Sequence, residues 1–212
     1  MKKQTTDYYG NNREEVAILL PLEIKSILDI GCGQGAFLKL IKDKTGAETW
    51  GVEMMPTLSE TAKKNVDNLL IGKIEDLLDL IPNNYFDCIT FNDVLEHVLE
   101  PTEVLRLIKP KLRIDGVIIA SIPNVRYISN LYELLIKKDW EYKDSGILDS
   151  THFRFFTQKS MKRMFENAGY KLLKQDGINA TASWKFKFLN FISIGFFSDT
   201  KYTQFVCKAS KK

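Results

Sequence analysis

Three glycines, a few acids and two histidines carry the chemistry this sequence can do. The stretch Ser26-Ile-Leu-Asp-Ile-Gly-Cys-Gly-Gln-Gly-Ala-Phe37 stops an apolar run of Ile27, Leu28 and Ile30 at Gly31, Gly33 and Gly35. A turn of that composition lets the backbone take unusual dihedrals and approach a ligand with no side chain in the way. Asp29 precedes the first glycine by two residues, and Glu53 ends the next apolar run, Thr49-Trp-Gly-Val-Glu53. An acid about 20 residues beyond such a loop suits hydrogen bonds to ribose hydroxyls. Gly31, Gly33 and Ala36 also satisfy G-x-G-x-x-A, a pattern several nucleotides share. His97 and His152 are the only histidines, and imidazole is the side chain best suited to accept a proton near neutral pH.

The pattern Leu28-Asp-Ile-Gly-Cys-Gly-Gln-Gly-Ala-Phe37, followed by Gly51-Val-Glu53, resembles the class I S-adenosylmethionine-dependent methyltransferases. The resemblance implies that Asp29, Gly31, Cys32, Gly33 and Gly35 hold the amino-acid end of that cofactor, with Glu53 on its ribose and Met54 alongside. Phe91-Asn-Asp-Val-Leu-Glu-His-Val98 is similar to the family in a second place. There Asn92 would contact the cofactor and His97 would stand one helical turn beyond Asp93. Related enzymes commonly read Gly-Asp-Ile-Glu-Asp after the third strand, where the adenine lies. This chain reads Gly72-Lys-Ile-Glu-Asp76, so adenine contacts fall to Ile74 and Glu75. A third match, Ile122-Pro-Asn-Val-Arg-Tyr127 with Asp149-Ser-Thr-His-Phe-Arg-Phe-Phe-Thr157, resembles a subgroup associated with bacterial surface-polysaccharide synthesis. It implies an acceptor pocket with His152 as a second candidate base. Arg126 and Arg154 would meet an anionic acceptor, an internal salt bridge being the competing role for Arg154. The resemblance spans roughly residues 25–178.

Methyl transfer from a sulfonium requires an acceptor held in line and often a base. Asp29, Glu53, Glu75, Asp76, Asp93 and Glu96 outnumber Lys73 near the strand ends. Such a mouth tolerates a cationic cofactor better than a pyrophosphate. The expected function is therefore methyl transfer to oxygen or nitrogen of a small-molecule or glycan-precursor acceptor. One alternative is an NAD-dependent oxidoreductase, which would need a second nucleotide-binding half and leaves Asp29 without a role. The other is a non-catalytic cofactor-binding protein of the same fold, encouraged only by Lys73. A nucleic-acid substrate is not expected, since no N-P-P-[YF] tetrapeptide follows the fourth strand and a net charge of +3 is scattered.

Strands are expected near residues 27–30, 48–53, 69–72, 85–91, 116–122, 170–176 and 202–208. Helices are expected over 13–20, 36–44, 57–67, from Pro101, over 125–138, and from an N-cap at Thr157 to Gly169. Residues 1–12 read as a loose polar segment. Alternating strands and helices predict an α/β, Rossmann-like doubly wound sheet. The family resemblance implies seven strands, mostly parallel, with an antiparallel C-terminal strand. One domain over 1–212 is expected, with an N-terminal helical segment at 1–24 and insertions at 124–156 and 179–200 near the acceptor. Cys32, Cys88 and Cys207 lack metal-type spacing and read as buried thiols, so no metal is expected. The N-terminus has no signal-peptide h-region, and Phe186–Phe197 is about half the length of a spanning helix. A soluble cytoplasmic enzyme fits these features.

Overall fold

A computed structural model describes residues 13–212, so the loose segment expected at 1–12 lies outside the described residues. Seven strands run β1 (Ser26–Ile30), β2 (Glu48–Glu53), β3 (Asn68–Ile71), β4 (Phe86–Asn92), β5 (Leu112–Pro123), β6 (Tyr170–Ala180) and β7 (Tyr202–Lys211). They form one sheet in the order β3-β2-β1-β4-β5-β7-β6. The pairs β1–β2, β2–β3, β1–β4 and β4–β5 are parallel, while β7 is antiparallel to both β5 and β6. A second mononucleotide-binding half would continue the sheet in parallel, and β7 does not.

The helices are α1 (Glu14–Ala17), α2 (Ala36–Thr45), α3 (Ser59–Asn65), α4 (Ile74–Leu77), α5 (Pro101–Ile108), α6 (Ile128–Tyr132), α7 (Gln158–Asn167) and α8 (Trp184–Ile192). Strand β1 is buried along its whole length and the last eight residues of β5 are buried too, as parallel strands covered on both faces must be. One core cluster includes Phe86, Phe91, Leu105, Met161, Phe165 and Tyr170; the other centres on Ile27, Phe37, Leu38 and Ile41. Cys32, Cys88 and Cys207 are free and buried, and burial pushes the Cys207 thiol up to about 12.

Thr157 caps α7 as expected, in a reciprocal pair with Ser160. Two helices fall short of their apolar pattern. The expected 13–20 helix is only Glu14–Ala17, because Val16, the buried residue of that turn, anchors one turn and the chain then bends towards Pro21. The expected 125–138 helix breaks into α6 and a π-helical turn, Glu133–Lys137, which ends at Lys138 with φ 56. Neither α6 nor that turn contributes a buried residue, so packing does not enforce a straight helix.

Candidate active site

The carboxyl ends of β1, β2, β3 and β4 open onto a cavity of about 770 Å³, a size suited to a nucleoside-sized ligand. Its wall includes Asp29, Gly31, Cys32 and Gly33 from the β1 turn, and Glu53 and Met54 from β2. Ile74 and Glu75 come from α4, and Asn92 and His97 from the region after β4. Nine of the ten cofactor residues expected from the sequence thus share one cavity. Gly35 is the exception: it starts α2 at φ 76, and a Cβ there would lie 2.9 Å from Val66. Its lack of a side chain serves helix packing. Gly31 (φ 73) and Gly33 (φ 55) take left-handed dihedrals, and a Cβ on Gly31 would meet Val94 at 2.5 Å. The Cys32 thiol packs against Gly51.

Glu53 is buried and its two oxygens are already engaged. Gly33 N–H donates to Oε2 at 2.8 Å and Met55 N–H to Oε1 at 2.8 Å. The same carboxylate expected at a ribose therefore also braces the glycine loop; each oxygen has a second lone pair for a hydroxyl donor. Asp29 is 2 % exposed, with Thr90 Oγ1 donating at 2.6 Å and Asn92 Nδ2 at 3.2 Å, both to Oδ1. Burial, with a further push from Glu53, raises the Asp29 carboxyl to about 7. Asn92 Oδ1 is buried without a partner in the cavity wall. A buried acid, an unpartnered carbonyl and an open glycine turn fit a ligand carrying a cationic amine and N–H or O–H donors.

The other end of the cavity is built across the chain. After β4, Asp93 turns at φ 55 and is fixed by Arg13, by Ser121 Oγ at 3.0 Å and by Gln204 Nε2 at 2.9 Å. Leu95–His97 then form a 3-10 turn. The segment after β5 folds back onto it, with the Phe153 and Arg154 N–H groups both donating to Glu96 O. Asp149 Oδ1 accepts from Thr151 N (2.8 Å) and Thr151 Oγ1 (2.7 Å), and Thr151 O and Oγ1 meet His97 Nδ1 at 3.2 and 3.1 Å.

Those contacts assign the tautomer by hydrogen-bond logic. The Thr151 hydroxyl proton is committed to Asp149, so His97 Nδ1 must donate, and Nε2 carries the lone pair. His152 Nδ1 likewise donates to Ile147 O at 3.0 Å. The two imidazoles lie edge to face, 4.6 Å between centroids. His97 lines the cavity, whereas His152 stands behind it, 8 % exposed, and burial lowers its basicity. Glu96 is 1 % exposed with neither oxygen partnered, and burial beside Asp93 pushes its carboxyl well up. Glu96, His97 and His152 each offer a donor atom, all within 4.8 Å of one another, a spread that can hold a divalent cation. The sequence reading expected no metal, and cysteine spacing could not reveal this set.

The polar residues of the two matched motifs make contacts within the protein. Asn124 is fully buried and ties β5 to the β7 approach through Asp199 O and Tyr202 O. Arg126 pairs twice with Asp199, at 2.6 and 3.3 Å. Arg154 takes the internal role, reaching Leu99 O at 2.9 Å and Glu100 at 3.1 Å. Conversely, Arg13, Thr90, Thr151 and Gln204 belong to the site and were not singled out from sequence. Thr90, a polar residue inside an apolar strand, and Thr151, within the Asp149–Thr157 motif, carried a local signal.

A model of the methyltransferase domain matches residues 4–175. A ubiquinone biosynthesis O-methyltransferase of Neisseria meningitidis is 26% identical over 163 residues, covering 73% of this chain and 67% of that protein. The mitochondrial ubiquinone biosynthesis O-methyltransferase of Schizosaccharomyces pombe is 34% identical over 103 residues, 46% of this chain and 37% of that protein. The crystal structure of a SAM-dependent methyltransferase from Archaeoglobus fulgidus superposes with a TM-score of 0.68 at 20% identity, covering 97% of this chain and 96% of that one, a likeness of fold. With 172 of its 212 residues under the family model, the chain belongs to the methyltransferase domain family.

Proposed function

We propose that the chain transfers a methyl group from S-adenosylmethionine to a hydroxyl of a small-molecule or glycan-precursor acceptor. The observation that carries this reading is one cavity holding both a glycine-turn nucleoside site and, at its other end, a histidine with a free Nε2 lone pair. The relatives named as O-methyltransferases support oxygen over nitrogen as the target. The polysaccharide-type likeness of the Asp149–Thr157 stretch supports a glycan precursor.

When bound, the cofactor supplies an electrophilic methyl group on a sulfonium centre. On this reading Asp29 and the backbone of Gly31–Gly33 hold its amino-acid end, Glu53 accepts from its ribose, and Ile74, Glu75 and Asn92 border its adenine side. Asp29, with its carboxyl near 7, ionises readily opposite a cationic amine. His97 Nε2 takes the acceptor's hydroxyl proton, and Thr151, fixed by Asp149, keeps Nδ1 protonated and the ring in place. His152 packs on His97 and orients it, and the 124–156 segment forms the acceptor side. Arg126 and Arg154 tie that segment to Asp199 and to Leu99 and Glu100.

The test is transfer of labelled methyl from S-adenosylmethionine to a panel of hydroxyl-bearing nucleotide sugars, glycans and phenols, followed across pH. Turnover on a hydroxyl acceptor with an acid-side limb in the pH profile that His97→Ala removes supports the proposal. Transfer confined to amines, or a flat pH profile, would contradict it.

A further inference from the structure

We propose that the segment 184–197, between β6 and β7, docks the protein on an anionic lipid surface. Helix α8 has two apolar faces. Phe186 turns inward and is 6 % exposed, which seats the helix on the protein. Trp184, Phe188, Phe191 and Ile192 recur at i, i+4, i+7 and i+8, so they form one stripe on the same side of the helix. That stripe faces outward: Trp184 is 72%, Phe188 61%, Phe191 81% and Ile192 59% exposed. Ile194 and Phe196 extend it through the following turn at 96% and 70%. Single exposed apolar residues are ordinary on any protein, whereas six in one short segment mark a surface that something covers.

Charge selects the occupant. From Gly177 to Ser198 the sequence contains no Asp or Glu, and its charges are Lys185 and Lys187. Lys187 is exposed beside the stripe. Aromatic residues on one face with lysine flanking them form the pattern of a helix lying in the headgroup region of an anionic bilayer. Two copies of the segment facing each other would bring lysines together with no acid to offset them. Nine helical residues also cannot cross a bilayer, so the segment lies on the surface.

Topology places the stripe where docking has consequences. Strand β6 is antiparallel to β7, which is antiparallel to β5, so β6 and β5 end on the same edge of the sheet as the cavity. Helix α8 leaves from that edge, clamped by Thr181 N–H to Lys201 O and by the Arg126–Asp199 pair. The stripe therefore stands on the cavity-bearing edge of the sheet, so docking there would bring that edge near an acceptor carried on a lipid.

The test is flotation of the full chain with vesicles of phosphatidylcholine mixed with phosphatidylglycerol, and with phosphatidylcholine alone. The expected result is binding to the mixed vesicles that weakens with added salt. The double variant Trp184→Ser/Phe191→Ser should partition at least about tenfold less, since each removes a large apolar contact. Lys187→Glu should bind more weakly than wild type. All three substitutions are at exposed positions, so melting temperature and cofactor affinity should stay at wild-type values. Wild type that ignores the mixed vesicles overturns the proposal, as does a double variant that binds them as well as wild type. A dimer in sedimentation that the double variant abolishes, without vesicle binding, assigns the surface to a second copy instead.

Discussion

The two ends of the cavity are built in opposite ways. At the nucleoside end the polar groups come from adjacent strand ends, and neighbours in the sheet hold them: Glu53 braces Gly33, and Thr90 and Asn92 hold Asp29. At the histidine end the contacts run between connecting segments and strands that are not neighbours in the sheet. His97 meets Thr151 across 54 residues and Asp93 meets Gln204 across 111. The first end leaves few groups without partners, while the second retains a buried carboxylate, Glu96, with none. On the proposed function, a preformed cofactor end beside a less committed acceptor end is what one fold needs to serve many acceptors.

The sharpest way to break this contrast is at the first end. Gly33→Val puts a β-branched residue at φ 55 and a side chain where the cofactor backbone contact would be. Cofactor affinity should fall below detection while the rest of the core still melts cooperatively. Normal affinity in a titration of that variant would reduce the loop to a structural turn.

The glycine-turn end was the part of the site legible in the sequence. Asp29 and the glycines lie within a few residues of each other, and Glu53 and Asn92 end the two strands that flank β1, so strand-end position brings them together. Legibility ended where positioning became tertiary. Arg13 reaches Asp93 from a one-turn helix, and nothing local to either residue announces the pair. The Asp149-Ser-Thr-His motif was visible, yet its task of holding the His97 ring through Thr151 needed the fold. Arg126 misled for the converse reason, since its acidic partner, Asp199, is 73 residues away; Arg154 takes the salt-bridge role the sequence reading allowed, with Glu100 54 residues away.

At the histidine end, His97→Ala should lower kcat by about 10²–10⁴-fold with cofactor affinity unchanged. His152→Ala should lower it less, because His152 stands behind the cavity wall. If His152→Ala is the more damaging of the two, the roles are exchanged. Equal activity in both variants would leave positioning as the source of catalysis.

Glu53→Ala couples the two functions of one carboxylate. It strands the Gly33 and Met55 N–H groups, so the variant should lose about 1–3 kcal/mol of stability together with ribose affinity. Denaturant melts with and without cofactor separate the two losses, and an unchanged melt would sever Glu53 from the loop.

Asp29→Asn tests the buried acid through pH. The folded-state carboxyl is raised to about 7 from 3.8, so its proton stabilises the fold below the unfolded value and that contribution is lost as pH rises through 7. Without cofactor, the asparagine variant should match wild type below about pH 4 and exceed it increasingly as pH rises, by about 4 kcal/mol near pH 8. An unchanged difference across that range would mean Asp29 is already ionised. The smallest effect belongs to Arg154→Ala, whose ion pair is half exposed on the arginine side and 77% exposed on Glu100. Stability should change by no more than about 1 kcal/mol, read from the same melts.

The central claim is that the strand-end cavity is an S-adenosylmethionine site, and calorimetric titration of the purified chain tests it most directly. Saturable binding of S-adenosylmethionine, weaker in Glu53→Ala and absent in Gly33→Val, with no comparable heat from NAD or NADP, is the predicted result. Nicotinamide binding tighter than that of S-adenosylmethionine, or S-adenosylmethionine affinity indifferent to both substitutions, would contradict it.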